Sequence, residues 1–224
     1  MTGQAEERSL LPFRDRAEAG QLLGGALGAY AGGSDVLVLA LPRGGIPVAY
    51  EVAKALAAPL DIFVVRKLGA PGNPELAIGA VAPGGICILQ QPIIAELGIP
   101  SEAVARIARS EEERRQQSEN LFRRNLPAHA VAGMTAILVD DGIATGSTMR
   151  AAITALRELR ANKIVVAAPV APACSRQELL GLADQVVCLA TPDIFLTVGQ
   201  WYVNFEQVSD EEMAALLQQA STLV

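Results

Sequence analysis

The sequence predicts an α/β fold built on a mainly parallel, doubly wound sheet, and two observations carry that expectation. Short and largely apolar runs, such as Val36 to Leu41, Leu60 to Val65 and Ala136 to Val139, alternate with helical stretches. Strands covered on both faces read as continuous apolar runs of this kind. Two of the runs also end in glycine-containing loops that open directly into a helical pattern, the strand–loop–helix unit of parallel sheets. Composition agrees. A length of 224 residues suits one large domain, or one with a lid or insert. At 51% hydrophobic but only 4% aromatic, the core must be mostly Ala, Val, Leu and Ile.

In chain order, Phe13 to Tyr30 reads as an amphipathic helix, with Ala17, Leu22, Leu23, Leu27 and Tyr30 on roughly one face and Gly32-Gly33-Ser34 ending it. The strand Val36 to Leu41 leads through Pro42-Arg43-Gly44-Gly45-Ile46-Pro47 into a helix from about Val48 to Leu56. Leu60 to Val65 is the next strand, stopped by Arg66-Lys67. Gly69 to Pro74 is rich in breakers and reads as loop. Glu75 to Val81 and Gly85 to Gln90 form a flap-like hairpin around a Pro-Gly-Gly turn. Ser101 caps a long charged helix in which opposite charges lie three or four residues apart. That spacing points to a solvated, salt-bridged face rather than to phosphate-binding arginines.

The central strand Ala136 to Val139 leads into a helix from about Ser147 to Arg160. Then follow a strand (Lys163 to Pro169), a helix (Ser175 to Leu182), a strand (Gln185 to Leu189) and an irregular segment (Pro192 to Phe205). The final helix, Ser209 to Gln219, opens on a capping box of Ser209 and Glu212. The expected organisation is a single domain over residues 1–224, with 67–126 a lid or insert, 187–205 a small hood and 209–220 a terminal helix.

Charge and residue counts exclude several function classes. A formal net charge of −6 opposes the phosphate neutralisation on which nonspecific nucleic-acid binding depends, so no nucleic-acid partner is expected. There is no run of about 18 apolar residues, hence no expected membrane span, and the polar start Met1 to Glu7 lacks a signal-peptide pattern. Cys87, Cys174 and Cys188 are odd in number and far apart, as reduced thiols of a cytoplasmic protein would be. His129 is the only histidine, which removes His-centred triads and most zinc sites.

The chemistry concentrates in Thr135-Ala-Ile-Leu-Val-Asp140-Asp141-Gly142-Ile-Ala-Thr145-Gly146-Ser147-Thr148. Backbone N–H groups of a small-residue loop, the positive end of the following helix and two or three hydroxyls make a phosphate cradle. Asp140 and Asp141 repel an anion, and suit a sugar diol or a hydrated divalent metal instead. The plainer alternative is an ordinary strand–helix loop with Thr145 or Ser147 as N-cap. A nucleoside-triphosphate loop does not fit, because three residues rather than four separate Gly142 from Gly146 and Ser147 stands where lysine is needed. The second loop presents Arg43, whose forked donors can meet two anionic oxygens, and glycines that permit close backbone approach. The plainer reading there is a tight turn with a solvated arginine. Arg66 and Lys67 lie at a strand's carboxyl end, where open α/β sheets bind ligands.

Ile137 to Thr148 resembles the signature with which the type I phosphoribosyltransferases bind 5-phosphoribosyl-1-pyrophosphate (PRPP), and Leu41-Pro-Arg43-Gly44-Gly45 resembles their pyrophosphate loop. The Val65-Arg-Lys-Leu-Gly segment and the ending Val198 to Phe205 look like an uncharacterised branch. The resemblance implies transfer of the phosphoribosyl group from PRPP to a nitrogen acceptor of nucleobase type, with Mg²⁺, as in nucleotide salvage. The alternative is a non-catalytic PRPP sensor. It assigns Asp140 and Asp141 to the ribose hydroxyls, directly or through Mg²⁺. Ala144, Thr145, Gly146, Ser147 and Thr148 would hold the 5′-phosphate, and Arg43, Gly44, Arg66 and Lys67 the pyrophosphate. Arg43, Lys67 and Asp141 would be the catalytic residues. The peptide near Arg43 is often strained or cis in that family. Pro71 to Glu75 corresponds to its flexible loop, with Glu75 the nearby carboxylate. Ala144 stands where the hypoxanthine-guanine branch has an aspartate base. The acceptor pocket is expected around Val187, Asp193 and Trp201, where the same Trp/Tyr/Phe cluster could equally be core or dimer packing. Small-molecule donor and acceptor are the expected partners, with a homodimer left open.

Overall fold

The computed structural model describes residues 11–124 and 126–223, except the side chain of Glu75. The readings of the Met1 to Glu7 start and of Glu75 as a site carboxylate therefore lie outside the described residues. In chain order the elements are α1 (Arg16–Ala26), β1 (Val36–Ala40), α2 (Gly45–Leu56), β2 (Leu60–Ile62), β3 (Arg66–Ala70), β4 (Asn73–Ala82), β5 (Ile86–Leu89), α3 (Gln91–Glu96) and α4 (Ser101–Arg123). Then come β6 (Thr135–Val139), α5 (Ser147–Glu158), β7 (Lys163–Val170), α6 (Ala173–Leu180), β8 (Gln185–Ala190) and α7 (Asp210–Ala220).

Five strands pair in parallel in the order β2-β1-β6-β7-β8. The apolar runs are fully buried because successive side chains serve opposite faces. Val36, Val38 and Ala40 join Leu23, Val52 and Leu217 under α1, α2 and α7. Leu37 and Leu39 join Leu138, Ile153, Leu156 and Val166 under α5. Removing one such side chain, as in Leu138→Ala, costs about 2–5 kcal/mol.

Register places Ala40 beside Val139. The loops after β1 and β6 therefore leave the sheet side by side, where the strand order reverses and ligands of open α/β sheets bind.

The insert differs from the sequence expectation. Gly69-Ala70 and Asn73-Pro74 are strand rather than loop, since β3 pairs antiparallel with β4 and only Pro71-Gly72 turns between them. With β5 they form a three-stranded sheet that packs Leu68, Ile78 and Val81 against Ile94 and Val104. The short helix α3 escaped the pattern because it begins with a proline in its first turn. Ser101 does not cap α4. Pro100 occupies the cap position, with no side-chain bond to the helix. Along α4 the charges pair as their spacing implied: Arg114 with Glu111, and Arg115 with Glu112 and Glu119. In α1, Leu22 faces solvent at 38% exposure, and Ala19, Gly20, Leu23 and Gly24 form the buried face. Among the described residues no helix is long and apolar enough to cross a membrane.

Candidate active site

The acidic pair emerges from the end of β6, and its two members part company. Asp140 lines a cavity of about 260 Å³ together with Lys67 and residues 142–149. Asp141 turns inward. Its Oδ2 accepts a hydrogen bond from Arg16 Nε at 2.8 Å, and both side chains are only 12% exposed. Arg16 also donates to the Glu206 carbonyl at 2.7 Å and stacks on the Phe205 ring, 3.9 Å from its centroid. The Tyr202 hydroxyl donates to the Asp141 carbonyl at 2.5 Å. The start of α1 and the segment after β8 thus both close on Asp141. The other side of its carboxylate is shut by Gly44, where any Cβ would run into it.

Burial, reinforced by the Asp141 charge, pushes the Asp140 carboxyl well above the usual carboxylate range. Burial also raises Asp141, with the Arg16 hydrogen bond and charge opposing it. Of the two carboxylates expected to serve the ligand, Asp140 faces the cavity, whereas Asp141 is paired with Arg16.

The cradle itself follows from Gly146, whose φ of 70° lets the chain reverse into α5 without strain. Thr145 Oγ1 and Ser147 Oγ sit 3.2 Å apart at the helix start. Ala144 and Thr145 are exposed, and Ser147 and Thr148 are half-buried. A second cavity, of about 180 Å³, is lined by Pro42, Arg43, Arg66, Ser118, Phe122 and Thr148 among others. Thr148 belongs to both cavities. Arg43 follows a cis Pro42–Arg43 peptide. Its guanidinium pairs with Asp210 at 2.5 Å, the first residue of α7, and lies 5.6 Å from the Phe122 ring centroid. Arg66 bonds Glu111 of α4 at 2.7 Å. Lys67, grouped with Arg66 by adjacency, points to the other cavity, because neighbouring residues of a strand face opposite sides. Ser118, Phe122 and Asp210 were not among the sequence candidates. Reaching this cavity depends on how α4 and α7 pack, which no local motif announces.

The expected acceptor residues do not gather into a pocket. Val187, on β8, packs against the sheet core. Trp201 packs with Phe13, Phe195 and Tyr202, and its indole nitrogen is buried without a protein partner. Asp193 is exposed on the loop after β8. The packing of Trp201 is thus that of the core reading of the aromatic cluster, and Val187 likewise lies against the core.

Among the described residues no group of three or more His, Cys, Asp or Glu side chains could cage a metal. One carboxylate beside a phosphate-sized cavity suits a hydrated Mg²⁺ shared with substrate oxygens, which needs only one or two protein carboxylates.

The parallel α/β sheet thus carries two adjoining cavities at its switch point, one lined by the residue 142–149 loop and the other by Arg43 and Arg66. Residues 17–206 match the family described as phosphoribosyl transferase domain, and the chain belongs to that family. Two Mycobacterium tuberculosis proteins, from strains CDC 1551 / Oshkosh and H37Rv and provisionally described as phosphoribosyl transferases, are each 45% identical over 208 residues. Those matches cover 93% of this chain and 47% of theirs, so the chain spans about half the length of these curated relatives. The crystal structure of TT1426 from Thermus thermophilus is similar at a TM-score of 0.84 and 40% identity, covering 93% of this chain and 99% of that one.

Proposed function

We propose that this chain moves the 5-phosphoribosyl group from PRPP to a nitrogen acceptor of nucleobase type and releases pyrophosphate. The observation that carries the reading is the pair of cavities sharing Thr148. One offers hydroxyls, a helix N-terminus and Lys67; the other offers Arg43 and Arg66. Asp140 lies on the wall of the first. A ribose with a phosphate at one end and a pyrophosphate at the other matches that order of charges.

In the reaction the bond from the anomeric carbon to pyrophosphate oxygen breaks, the bond to the acceptor nitrogen forms, and the proton on that nitrogen passes to solvent or to the departing pyrophosphate. Asp140 orients the ribose hydroxyls and would hold a Mg²⁺ carried in with the donor. When bound, the ion supplies charge neutralisation to the leaving group. Arg43 and Arg66 stabilise the negative charge that develops there. Arg43 must exchange Asp210 for the phosphate oxygens. Arg66 of β3 and Ser118 and Phe122 of α4 line one side of the second cavity, where closure on the donor would exclude the water that otherwise hydrolyses it.

One observation favours a second reading, in which the donor is bound and sensed but not consumed. Among the described residues, no carboxylate other than Asp140 and no histidine lines either cavity to take the acceptor's proton. Titration with PRPP and Mg²⁺, followed by pyrophosphate release across a panel of bases, separates the two. Release with one base supports transfer, and binding without release for every base supports sensing. The absence of PRPP binding refutes both.

A further inference from the structure

The phosphate loop is held from behind by a helix that contributes nothing to either cavity. Ser175, in the first turn of α6 and only 5% exposed, donates its hydroxyl to the Ala144 carbonyl at 2.6 Å. One turn further along, Glu178 accepts from Arg150 Nη1 at 2.9 Å, and the same nitrogen donates to the Thr145 carbonyl at 2.9 Å. Residues three apart on a helix share a face. One face of α6 therefore grips two consecutive loop carbonyls, the first directly and the second through Arg150.

The consequence follows from peptide planarity. In a trans peptide unit the carbonyl and the next residue's N–H point in opposite directions. With the Ala144 carbonyl pulled towards α6, the Thr145 N–H points away from it. With the Thr145 carbonyl held by Arg150, the Gly146 N–H does the same. The Gly146 carbonyl accepts from Arg150 N at 2.8 Å, which fixes the third unit as well. Among the described residues the amides of Thr145 and Gly146 meet no protein acceptor, and both residues line the 260 Å³ cavity. The start of α5 and these amide-bearing residues thus border the same cavity.

We propose that Ser175, supported by the Arg150–Glu178 pair, is a positioning residue for phosphate recognition: it holds the loop carbonyls back towards α6 so that the loop amides are preorganised for the phosphate of the ligand. This rests on the donor reading above. It differs in naming residues that never touch the ligand.

Calorimetric titration of the full chain with ribose 5-phosphate, and separately with pyrophosphate, tests it. Ser175→Ala should weaken ribose 5-phosphate roughly three- to tenfold, the scale of one lost hydrogen bond. Pyrophosphate affinity should stay within about twofold, because Ser175 does not border the Arg43 cavity. Ser175→Thr, which keeps the hydroxyl, should recover most of the loss. In turnover, KM for the donor should rise with kcat retained, as for binding lost equally from ground and transition states. Should Ser175→Ala not fold, Arg150→Gln, at a part-exposed position, should weaken ribose 5-phosphate by roughly two- to fivefold with pyrophosphate unchanged. Unaltered ribose 5-phosphate affinity, or an equal loss for pyrophosphate, overturns the proposal while leaving the donor reading intact. A wild-type chain that binds no ribose 5-phosphate overturns both.

Discussion

Arg16→Gln should be among the most damaging single substitutions outside the apolar core. The Arg16–Asp141 pair is 12% exposed on each side, so little water is available to solvate either charge alone. Removing one partner of a buried pair costs about 3–5 kcal/mol, because the survivor stays buried without compensation. The stacking on Phe205 adds about 0.5–1 kcal/mol. A loss of about 3–4 kcal/mol is expected, since the glutamine amide can still donate one hydrogen bond to the Asp141 carboxylate. In a chain of this length each kcal/mol is worth about 2–4 °C, which places the melting point roughly 6–16 °C lower.

Asp141→Asn leaves Arg16 short of its anion and should cost about 2–3 kcal/mol. The double variant should cost about as much as Arg16→Gln alone, a coupling of about 2–3 kcal/mol between the sites. Urea unfolding of wild type, both single variants and the double variant gives this cycle directly. Additivity within about 0.5 kcal/mol, or an Arg16→Gln loss below about 1 kcal/mol as for exposed pairs, would refute the anchoring role of Asp141.

Three further outcomes follow from the same geometry. Asp210→Asn frees Arg43 from a part-exposed carboxylate, so pyrophosphate should inhibit roughly two- to fivefold more tightly at low salt, with the advantage shrinking as salt screens the wild-type pair; unchanged inhibition would contradict this. Gly44→Ala drives a methyl group into the Asp141 carboxylate and should lower the melting point by several degrees, whereas Gly25→Ala, in open space on α1, should raise stability by about 0.5–1 kcal/mol. Equal effects would refute the packing argument. The hydrogen bond from Arg157 holds the Asp184 carboxyl below its usual value, with the Ile164 amide helping. The folded state then takes up the proton less readily than the unfolded one, so this contribution is complete above about pH 4 and disappears as pH falls through the lowered value. Melting points of wild type and Asp184→Asn should differ at pH 7 and converge towards pH 3; a constant gap would falsify the linkage.

What the sequence disclosed was whatever a few neighbouring residues can encode. Strand β6, Gly146 and the hydroxyls of residues 145–148 are adjacent in the chain, so their spacing alone describes a cradle. The pairing along α4 is equally local, three or four residues apart. What stayed hidden depends on distant contacts. Asp140 and Asp141 look equivalent in sequence, and it is Arg16, 125 residues away, together with Tyr202 and Gly44, that gives them different surroundings. Arg66 and Lys67 read as one basic step until strand pleating sends them to different cavities. Trp201 offered a flat ring that stacking on a base and packing in a core would use alike; it packs with Phe195 and with Phe13, which comes from a distant part of the chain. Ser175 carried no signal, since one serine early in a helix looks like any other.

A crystal grown with PRPP and Mg²⁺ tests the central claim most directly. The account predicts the 5′-phosphate against the amides of Thr145 to Thr148, the pyrophosphate against Arg43 and Arg66 with the Arg43–Asp210 pair broken, and the ribose hydroxyls on the side of Asp140. Asp141 should remain bonded to Arg16 throughout. A donor bound in the opposite sense, or one that draws Asp141 away from Arg16, would contradict it.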